Sequence, residues 1–332
     1  MNLLVNLPES FFQSESLKPV FGRLFSLASN VKTTSYNAPD EIKDDLAWAD
    51  AVIMWSWPNL DDALLENAKK VKFAGHITIT QTTARAELKK GIVVSETRHG
   101  FSSAVSELGL TLILSGLRKV GMYHHQMKLG TEEWVNAFPT DIDPSERQLS
   151  GKNVGIIGFG GIGQGLAKLM APFHVNLKIH DPYLPEEVAT KYGATPTTIK
   201  DIAETSDVIV LCAAENAGTK KLIDKEEIAL FKKDSVLVNI GRSSLVNMES
   251  LIERLQLNDM TAMLDVFDVE PLERDSVLRT LDNVFLTPHR AGGLMESVER
   301  IINWLTDDFE AFLNGKPVKY GINEDVLSCF PD

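Results

Sequence analysis

Three segments in the second half of the chain carry residues that could bind a carboxylate and move a proton. Arg242 follows the apolar run SVLVN, Asp265 ends the run TAMLD with Glu270 just beyond it, and His289 follows NVFLT. An arginine can hold a carboxylate by two parallel hydrogen bonds, and an imidazole next to a carboxylate can act as a general acid–base group. Each residue alone is more typical of a solvated surface or loop. Only their combination points to a catalytic site.

A glycine-rich segment, NVGIIGFGGIGQG at residues 153–165, lies between an apolar run and a helical pattern. Gly158, Gly160 and Gly163 have the spacing GxGxxG, which permits a tight turn, close approach of a pyrophosphate and close helix–strand packing. Asp181 follows the next apolar run, where a carboxylate can bind the adenosine ribose and repel the 2′-phosphate of NADP. The pattern predicts an NAD site. The alternative is a glycine-rich turn beside an unrelated surface aspartate.

The elements that would position these residues form two alternating series of short apolar runs and amphipathic stretches. The first series contains LLVNL, AVIMW, VKFAG and GIVV, and the second contains VGIIG, NLKIH, DVIVL, SVLVN, TAMLD and NVFLT. Such alternation is typical of parallel sheets in α/β proteins. We expect two α/β domains, a single long helix from Ser102 to about Leu129, and a last helix that ends near Gly315.

Composition narrows the class of protein. A chain of 332 residues with 44% hydrophobic residues can bury a sizeable core, and a net charge of -13 argues against nucleic acid or an anionic membrane as a partner. Cys212 and Cys329 fit neither a disulfide framework nor a metal site, which favours a reducing cytoplasm. The histidines are too scattered along the sequence to predict a metal site.

These motifs resemble the D-isomer-specific 2-hydroxyacid dehydrogenases. The resemblance runs from about Val71 to Phe312, and its motifs are AVSELGLTLILSGLR, GKNVGIIGFGGIGQGLA, HDPY, VNIGRSS, LDVFDVEPL and TPHRAGG. It implies hydride transfer between NAD(H) and a small 2-keto or D-2-hydroxy acid. Arg242 would bind the substrate's carboxylate and carbonyl, His289 would donate the proton, and Glu270 would pair with the histidine.

The resemblance also implies further site residues. Those expected to bind the cofactor are Gly158, Gly160, Gly161, Ile162, Gly163, Asp181, Thr219, Ile240, Gly241, Arg242, Asp265, His289 and Gly292, and those expected to bind the substrate are Ile77, Thr78, Arg242 and His289.

The family's domain plan is discontinuous. It implies two Rossmann-like or flavodoxin-like α/β domains, with an NAD-binding domain at residues 102–293 inserted into a substrate domain of residues 1–101 and 294–332. A homodimer through the helix and arm of residues 102–140 is implied as well.

The substrate segment departs from the family pattern. Where the family has GVGVDN, His76 and Thr78 replace the two glycines, and Thr80 and Gln81 replace the Asp-Asn pair. We expect Thr78 or His76 to contact the substrate, and the alternative is a segment that merely packs differently. Trp55 and Trp57 are candidates for pocket walls, although a tryptophan that ends a buried strand is more often part of a core.

Two other functions stay open. A dinucleotide-sensing corepressor of the same fold keeps the same Arg, Glu and His, although no basic tail or recruitment segment supports it. An NAD-dependent formate dehydrogenase has glutamine where Glu270 stands, so this residue counts against it.

Overall fold

The structure is a computed structural model that describes residues 1–330, apart from the side chains of residues 328 and 329. The chain forms two compact units, one of residues 1–101 and 294–332 and the other of residues 102–293. Each is an α/β unit built on one parallel sheet. The predicted fold class of two α/β domains is therefore confirmed.

Unit 1 contains a five-stranded sheet in the order β2-β1-β3-β4-β5. Its strands are β1 (Asn2–Asn6), β2 (Asn30–Thr34), β3 (Ala51–Met54), β4 (Phe73–His76) and β5 (Val93–Glu96). Its helices are α1 (Glu9–Gln13), α2 (Lys18–Ser26), α3 (Pro39–Trp48), α4 (Asp62–Leu65), α5 (Gln81–Lys89) and the last helix, α13 (Met295–Leu313).

Successive side chains of this sheet enter different cores because strand residues point alternately to opposite faces. Leu4 and Val52 belong to one buried cluster, and Leu3 and Ile53 belong to another. In the second cluster the rings of Phe73 and Phe309 lie 5.3 Å apart, so α13 packs against β4. The last helix thus completes the core of the first hundred residues.

Unit 2 contains a seven-stranded sheet in the order β12-β11-β10-β9-β6-β7-β8. Its strands are β6 (Asn153–Ile157), β7 (Asn176–His180), β8 (Thr195–Pro196), β9 (Val208–Leu211), β10 (Val236–Asn239), β11 (Thr261–Leu264) and β12 (Val284–Leu286). Its helices are α6 (Ser102–Arg118), α7 (Val120–Leu129), α8 (Gly161–Met170), α9 (Glu186–Lys191), α10 (Ile199–Thr205), α11 (Lys225–Leu230) and α12 (Met248–Leu255). Every residue of β9 and β10 is buried, as expected for central strands covered on both faces.

The predicted single helix from Ser102 to Leu129 is wrong in one respect. Lys119 adopts a left-handed conformation with φ 50°, and this residue separates α6 from α7. The helical stretch 98–118 is long and apolar enough to cross a membrane, but half of it is buried inside the protein. That burial is typical of a core helix.

Candidate active site

The glycine-rich segment forms the turn between β6 and α8. Gly158 has φ +88°, and a Cβ atom there would lie 2.4 Å from the backbone of Ala213. A Cβ on Gly163 would lie 2.6 Å from the carbonyl oxygen of Gly158, whereas Gly160 faces open space. Two glycines are thus required by packing. The third leaves room for a ligand to approach the first turn of α8, whose N–H groups lack helical partners.

Asp181 lies one residue beyond β7 and is held against this turn. Its Oδ2 accepts a hydrogen bond of 2.8 Å from the Phe159 N–H, and its Oδ1 accepts one of 3.0 Å from the Tyr183 N–H. Each carboxylate oxygen can accept more than one hydrogen bond, so the group can still bind ribose hydroxyls. A depression of about 200 Å³ adjoins it, lined also by Pro182, Leu184 and Pro196. The donor set and the open turn fit an NAD molecule.

The structure brings Arg242, Glu270 and His289 to one depression on unit 2. This depression has a volume of about 440 Å³ and is lined further by Glu215, Ser243, Ser244, Val266, Phe267 and Asp268. The three residues follow β10, β11 and β12, neighbouring parallel strands whose carboxyl ends meet at one edge of the sheet. Arg242 is exposed, and among the described residues its guanidinium donates one hydrogen bond, to the Gly241 carbonyl at 2.8 Å.

The side chains of His289 and Glu270 form a short hydrogen bond. His289 Nδ1 lies 2.6 Å from Glu270 Oε2, and the side chains are 45% and 35% exposed. Although partial burial by itself raises the pKa of Glu270, the hydrogen bonds from His289 and from the Phe267 N–H hold that pKa below its ordinary value. Glu270 is therefore an ionised acceptor, so Nδ1 carries the proton. Nε2 has no partner in the described part of the chain and remains available for chemistry.

Asp265 stabilises the loop that carries His289 by hydrogen bonds. It is 1% exposed, and its carboxylate accepts hydrogen bonds from the hydroxyl of Thr287 and from the N–H groups of Arg290 and Ala291. The His289 N–H donates to the Asp265 carbonyl at 2.9 Å. His289 itself has φ 49°, a strained conformation for a residue with a side chain. The contacts from Asp265 offset that strain and fix the imidazole.

The other predicted cofactor residues are distributed around the same sheet edge. Thr219 lies in the loop after β9, where its hydroxyl donates to the Ala214 carbonyl at 2.8 Å. Ile240 and Gly241 are buried just after β10, and Gly292 is partly exposed after β12. At the start of α8, Gly161 and Ile162 are both partly exposed.

The predicted substrate segment lies after β4 in unit 1. Ile77 is 1% exposed, while Thr78 is partly exposed and its hydroxyl has no partner in the described part of the chain. The expectation that His76 contacts substrate is wrong, because this side chain is fully buried. Its Nδ1 lies 3.2 Å from the Trp55 carbonyl oxygen, and its Nε2 lies 3.0 Å from both oxygens of Glu87.

Several residues of these sites were missed in the sequence. Glu215 and Asp268 line the depression around His289. They follow β9 and β11, and polar residues just after parallel strands are the ones expected near a ligand, so the sequence contained the signal for both. Glu87, the partner of His76, lies on α5 among other charged residues. No sequence signal marked it as buried.

Comparison with known proteins places these features in a family. The model of the D-isomer specific 2-hydroxyacid dehydrogenase NAD binding domain matches residues 110–291. The chain is 30% identical over 288 residues to the D-3-phosphoglycerate dehydrogenase of Methanocaldococcus jannaschii, covering 86% of this chain but only 53% of that relative. It is 28% identical over 285 residues to the glyoxylate reductase of Aeropyrum pernix, covering 84% of each.

A solved structure, that of the PH0520 protein from Pyrococcus horikoshii OT3, matches with a TM-score of 0.82 at 25% identity. The match covers 98% of this chain and 96% of that one.

Proposed function

Since the chain belongs to the family of D-isomer-specific 2-hydroxyacid dehydrogenases and contains its NAD-binding domain, we propose that it reduces a small 2-keto acid to a D-2-hydroxy acid with NADH. The observation that carries this proposal is the short His289–Glu270 hydrogen bond beside Arg242 at one depression. An ordered acid–base imidazole and a cation for the carboxylate are the two protein groups that this reduction needs.

The chain's own residues bind the keto acid and supply the proton. The exposed Arg242 guanidinium binds the substrate's carboxylate and stabilises the negative charge that develops on the carbonyl oxygen. His289 Nε2 donates a proton to that oxygen, and Glu270 stabilises the imidazolium and fixes the ring. When bound, NADH supplies a hydride to the carbonyl carbon, so hydride and proton together convert the carbonyl to a hydroxyl.

Asp181 and the turn of Gly158 to Gly163 hold the cofactor in this proposal. The free N–H groups at the start of α8 bind the pyrophosphate, and Asp181 binds the adenosine ribose. A 2′-phosphate at that position would meet the Asp181 carboxylate. NADH should therefore be preferred over NADPH by roughly ten-fold in kcat/KM, and Asp181→Ala should narrow the difference. Equal use of both cofactors by the unmodified protein would contradict this role.

Two further assignments belong to the same proposal. In unit 1, Thr78 and the backbone of Ile77 contact the substrate's carboxylate. A homodimer forms through the helix and arm of residues 102–140, where large apolar side chains are exposed, with Trp134 at 67% and Phe138 at 82%. Serine at both positions should yield a monomer in analytical ultracentrifugation. The cytoplasmic location stays a prediction.

An NADH-oxidation screen tests the central proposal. Glyoxylate, hydroxypyruvate, pyruvate, phenylpyruvate and branched-chain keto acids are offered with NADH, and Arg242→Gln serves as the matched control for loss of the carboxylate anchor. Turnover of at least one keto acid, lost in that variant, is expected. Tight NADH binding with no turnover of any keto acid would favour the corepressor-like sensor.

A further inference from the structure

Polar side chains fix the first peptide of the glycine-rich turn in unit 2 at both ends. This peptide joins Gly158 to Phe159. Its N–H group, which belongs to Phe159, donates to Asp181 Oδ2 at 2.8 Å. Its carbonyl, which belongs to Gly158, accepts a hydrogen bond of 2.9 Å from the Cys212 thiol. Both polar groups of this peptide are thus engaged within the protein, so it offers no free N–H to a ligand.

The second peptide of the turn is fixed at one end and leaves a donor free at the other. It joins Phe159 to Gly160, and the Phe159 carbonyl oxygen accepts a hydrogen bond of 3.0 Å from Gln164 Nε2. The C=O and N–H groups of a trans peptide point in opposite directions. Because Gln164 holds the carbonyl on one side, the Gly160 N–H points to the other, where it has no partner in the described part of the chain. A Cβ on Gly160 would meet nothing within 4 Å, so a ligand can approach the turn there.

Glycine makes this second peptide easy to turn over. Rotating a peptide plane by about 180° changes ψ of the residue before it and φ of the residue after it, and glycine adopts positive φ at little cost. Once turned over, the peptide would present the Phe159 carbonyl oxygen, with its partial negative charge, where the Gly160 N–H now lies. A pyrophosphate would then be repelled instead of bound. A side chain that holds this carbonyl in place therefore acts directly on anion binding.

Tyr192, the residue after α9, holds Gln164 in turn. Its hydroxyl donates to Gln164 Oε1 at 3.2 Å, so both ends of the Gln164 amide are engaged. Its ring lies 5.4 Å from the ring of Phe159 in an edge-to-face arrangement, and Phe159 is 0% exposed. Phe159, Gln164 and Tyr192 thus form a closed set of contacts, made of two hydrogen bonds and one aromatic pair.

We infer that Gln164 is a positioning residue of the cofactor site, which keeps the Gly160 N–H directed at the pyrophosphate, and that Tyr192 keeps Gln164 in place. This inference rests on the proposed function, in which the turn binds NADH. It adds two residues that act through the backbone of the turn. Neither residue takes part in the proton transfer, so their effect should be confined to cofactor affinity.

Cofactor binding tests the role of Gln164. Gln164→Leu replaces one good helix former by another and removes the hydrogen bond to the Phe159 carbonyl, so the Kd for NADH should rise by about five- to ten-fold. The Kd for adenosine, which has no pyrophosphate, should change by less than about two-fold, as should KM for the keto acid at saturating NADH. Fluorescence titration measures NADH binding, and isothermal titration calorimetry measures adenosine binding.

An unchanged Kd for NADH in Gln164→Leu, or an equal weakening of NADH and adenosine, would overturn the inference and leave the proposed function standing. If the unmodified chain does not bind NADH, the proposed function itself is contradicted, and the inference falls with it.

A pair of variants that each lose one hydroxyl tests the role of Tyr192. Tyr192→Phe keeps the ring against Phe159 and releases Gln164, so the Kd for NADH should rise by about two- to three-fold. Tyr123→Phe is the matched control, because the Tyr123 hydroxyl donates to Glu146 at 3.3 Å and not to the turn, and it should leave this Kd unchanged. The double variant Gln164→Leu with Tyr192→Phe should bind NADH no more weakly than Gln164→Leu alone, since Tyr192 acts through Gln164. Additive losses in the double variant would overturn the role of Tyr192.

Discussion

Among the described residues, each unit contains one histidine hydrogen-bonded to a glutamate, and the two pairs differ in burial and in geometry. The pair of unit 2, His289 and Glu270, is 45% and 35% exposed with a single contact of 2.6 Å. The pair of unit 1, His76 and Glu87, is 1% and 0% exposed, and Nε2 lies 3.0 Å from both carboxylate oxygens.

The difference decides what each histidine can do. Burial alone would lower the pKa of His76, but Glu87, the Trp55 carbonyl and Glu96 outweigh it and hold that pKa above its ordinary value. Both ring nitrogens of His76 are engaged, so this imidazolium can neither reach a substrate nor exchange a proton readily. His289 keeps one nitrogen free at the surface. The same two residue types therefore form a buried pair in unit 1 and, in unit 2, a pair whose free ring nitrogen suits the proposed proton transfer.

The largest expected effect is the loss of turnover in His289→Gln. Without a proton donor at the carbonyl oxygen, kcat should fall by ~10²–10⁴, whereas the Kd for NADH should stay within about two-fold. Steady-state kinetics and a fluorescence titration with NADH measure the two quantities. Near-normal turnover in this variant would show that another group donates the proton.

Breaking the buried pair should affect stability instead. His76→Phe leaves the Glu87 carboxylate buried and unpaired, which should lower the free energy of unfolding by ~3–5 kcal/mol. The matched change His289→Phe should cost less than about 0.5 kcal/mol, since its partner stays in contact with solvent. Denaturant titrations followed by tryptophan fluorescence suit this test because four of the five tryptophans lie in unit 1.

A double variant, His76→Phe with Glu87→Leu, provides the control for the buried pair. Removing both charges should restore most of the lost stability, because no unpaired ion remains. If the single variant His76→Phe is as stable as the unmodified chain, the ion pair has no structural role.

The pH dependence of the free energy of unfolding should originate in two buried side chains of unit 1, Glu96 and His76. Burial, only partly opposed by Arg98, raises the pKa of Glu96 to about 7, so the folded chain keeps a proton there that the unfolded chain has lost. The raised pKa of His76 acts in the same direction. The free energy of unfolding should therefore fall as the pH rises from about 5 to about 8, by ~1.4 kcal/mol for each unit of pKa shift.

Glu96→Gln removes one of the two groups and should flatten this dependence between pH 5 and pH 7. Denaturant titrations at several pH values measure the slope. An unchanged slope in Glu96→Gln would mean that Glu96 titrates in the folded chain as it does in the unfolded one.

The smallest expected effect is on substrate affinity at Thr78. Thr78→Val keeps the shape and removes the hydroxyl, so losing a hydrogen bond to the substrate's carboxylate should raise KM for the best keto acid by ~10-fold. The neighbouring Thr80→Val is a control, because the Thr80 hydroxyl donates to Thr83 within the protein. A KM within about two-fold in Thr78→Val would show that the segment binds only through its backbone.

The two pairs also show what the sequence can predict. His289, Glu270 and Arg242 follow conspicuous apolar runs, and parallel strands bring their carboxyl ends together, so their proximity was predictable. The pairing of His76 with Glu87 was not, because it depends on how α5 packs on the sheet. Strand β2, NVKTT, was missed because it is a polar edge strand whose residues are mostly exposed. The break falls on Lys119, and lysine seldom adopts the left-handed conformation found there, so the sequence did not locate it.

The central claim is that His289 of unit 2 donates a proton to the carbonyl oxygen of a keto acid, while NADH would supply the hydride to the carbonyl carbon. The most direct measurement uses NADH that carries deuterium at both C4 positions, with the hydroxy acid product analysed by mass spectrometry and NMR. The account predicts one deuterium at C2 of the product from the unmodified protein, and almost none from a His289→Gln variant that still binds NADH. Deuterium transfer at an undiminished rate in that variant, or NADH binding without transfer to any keto acid, would contradict it.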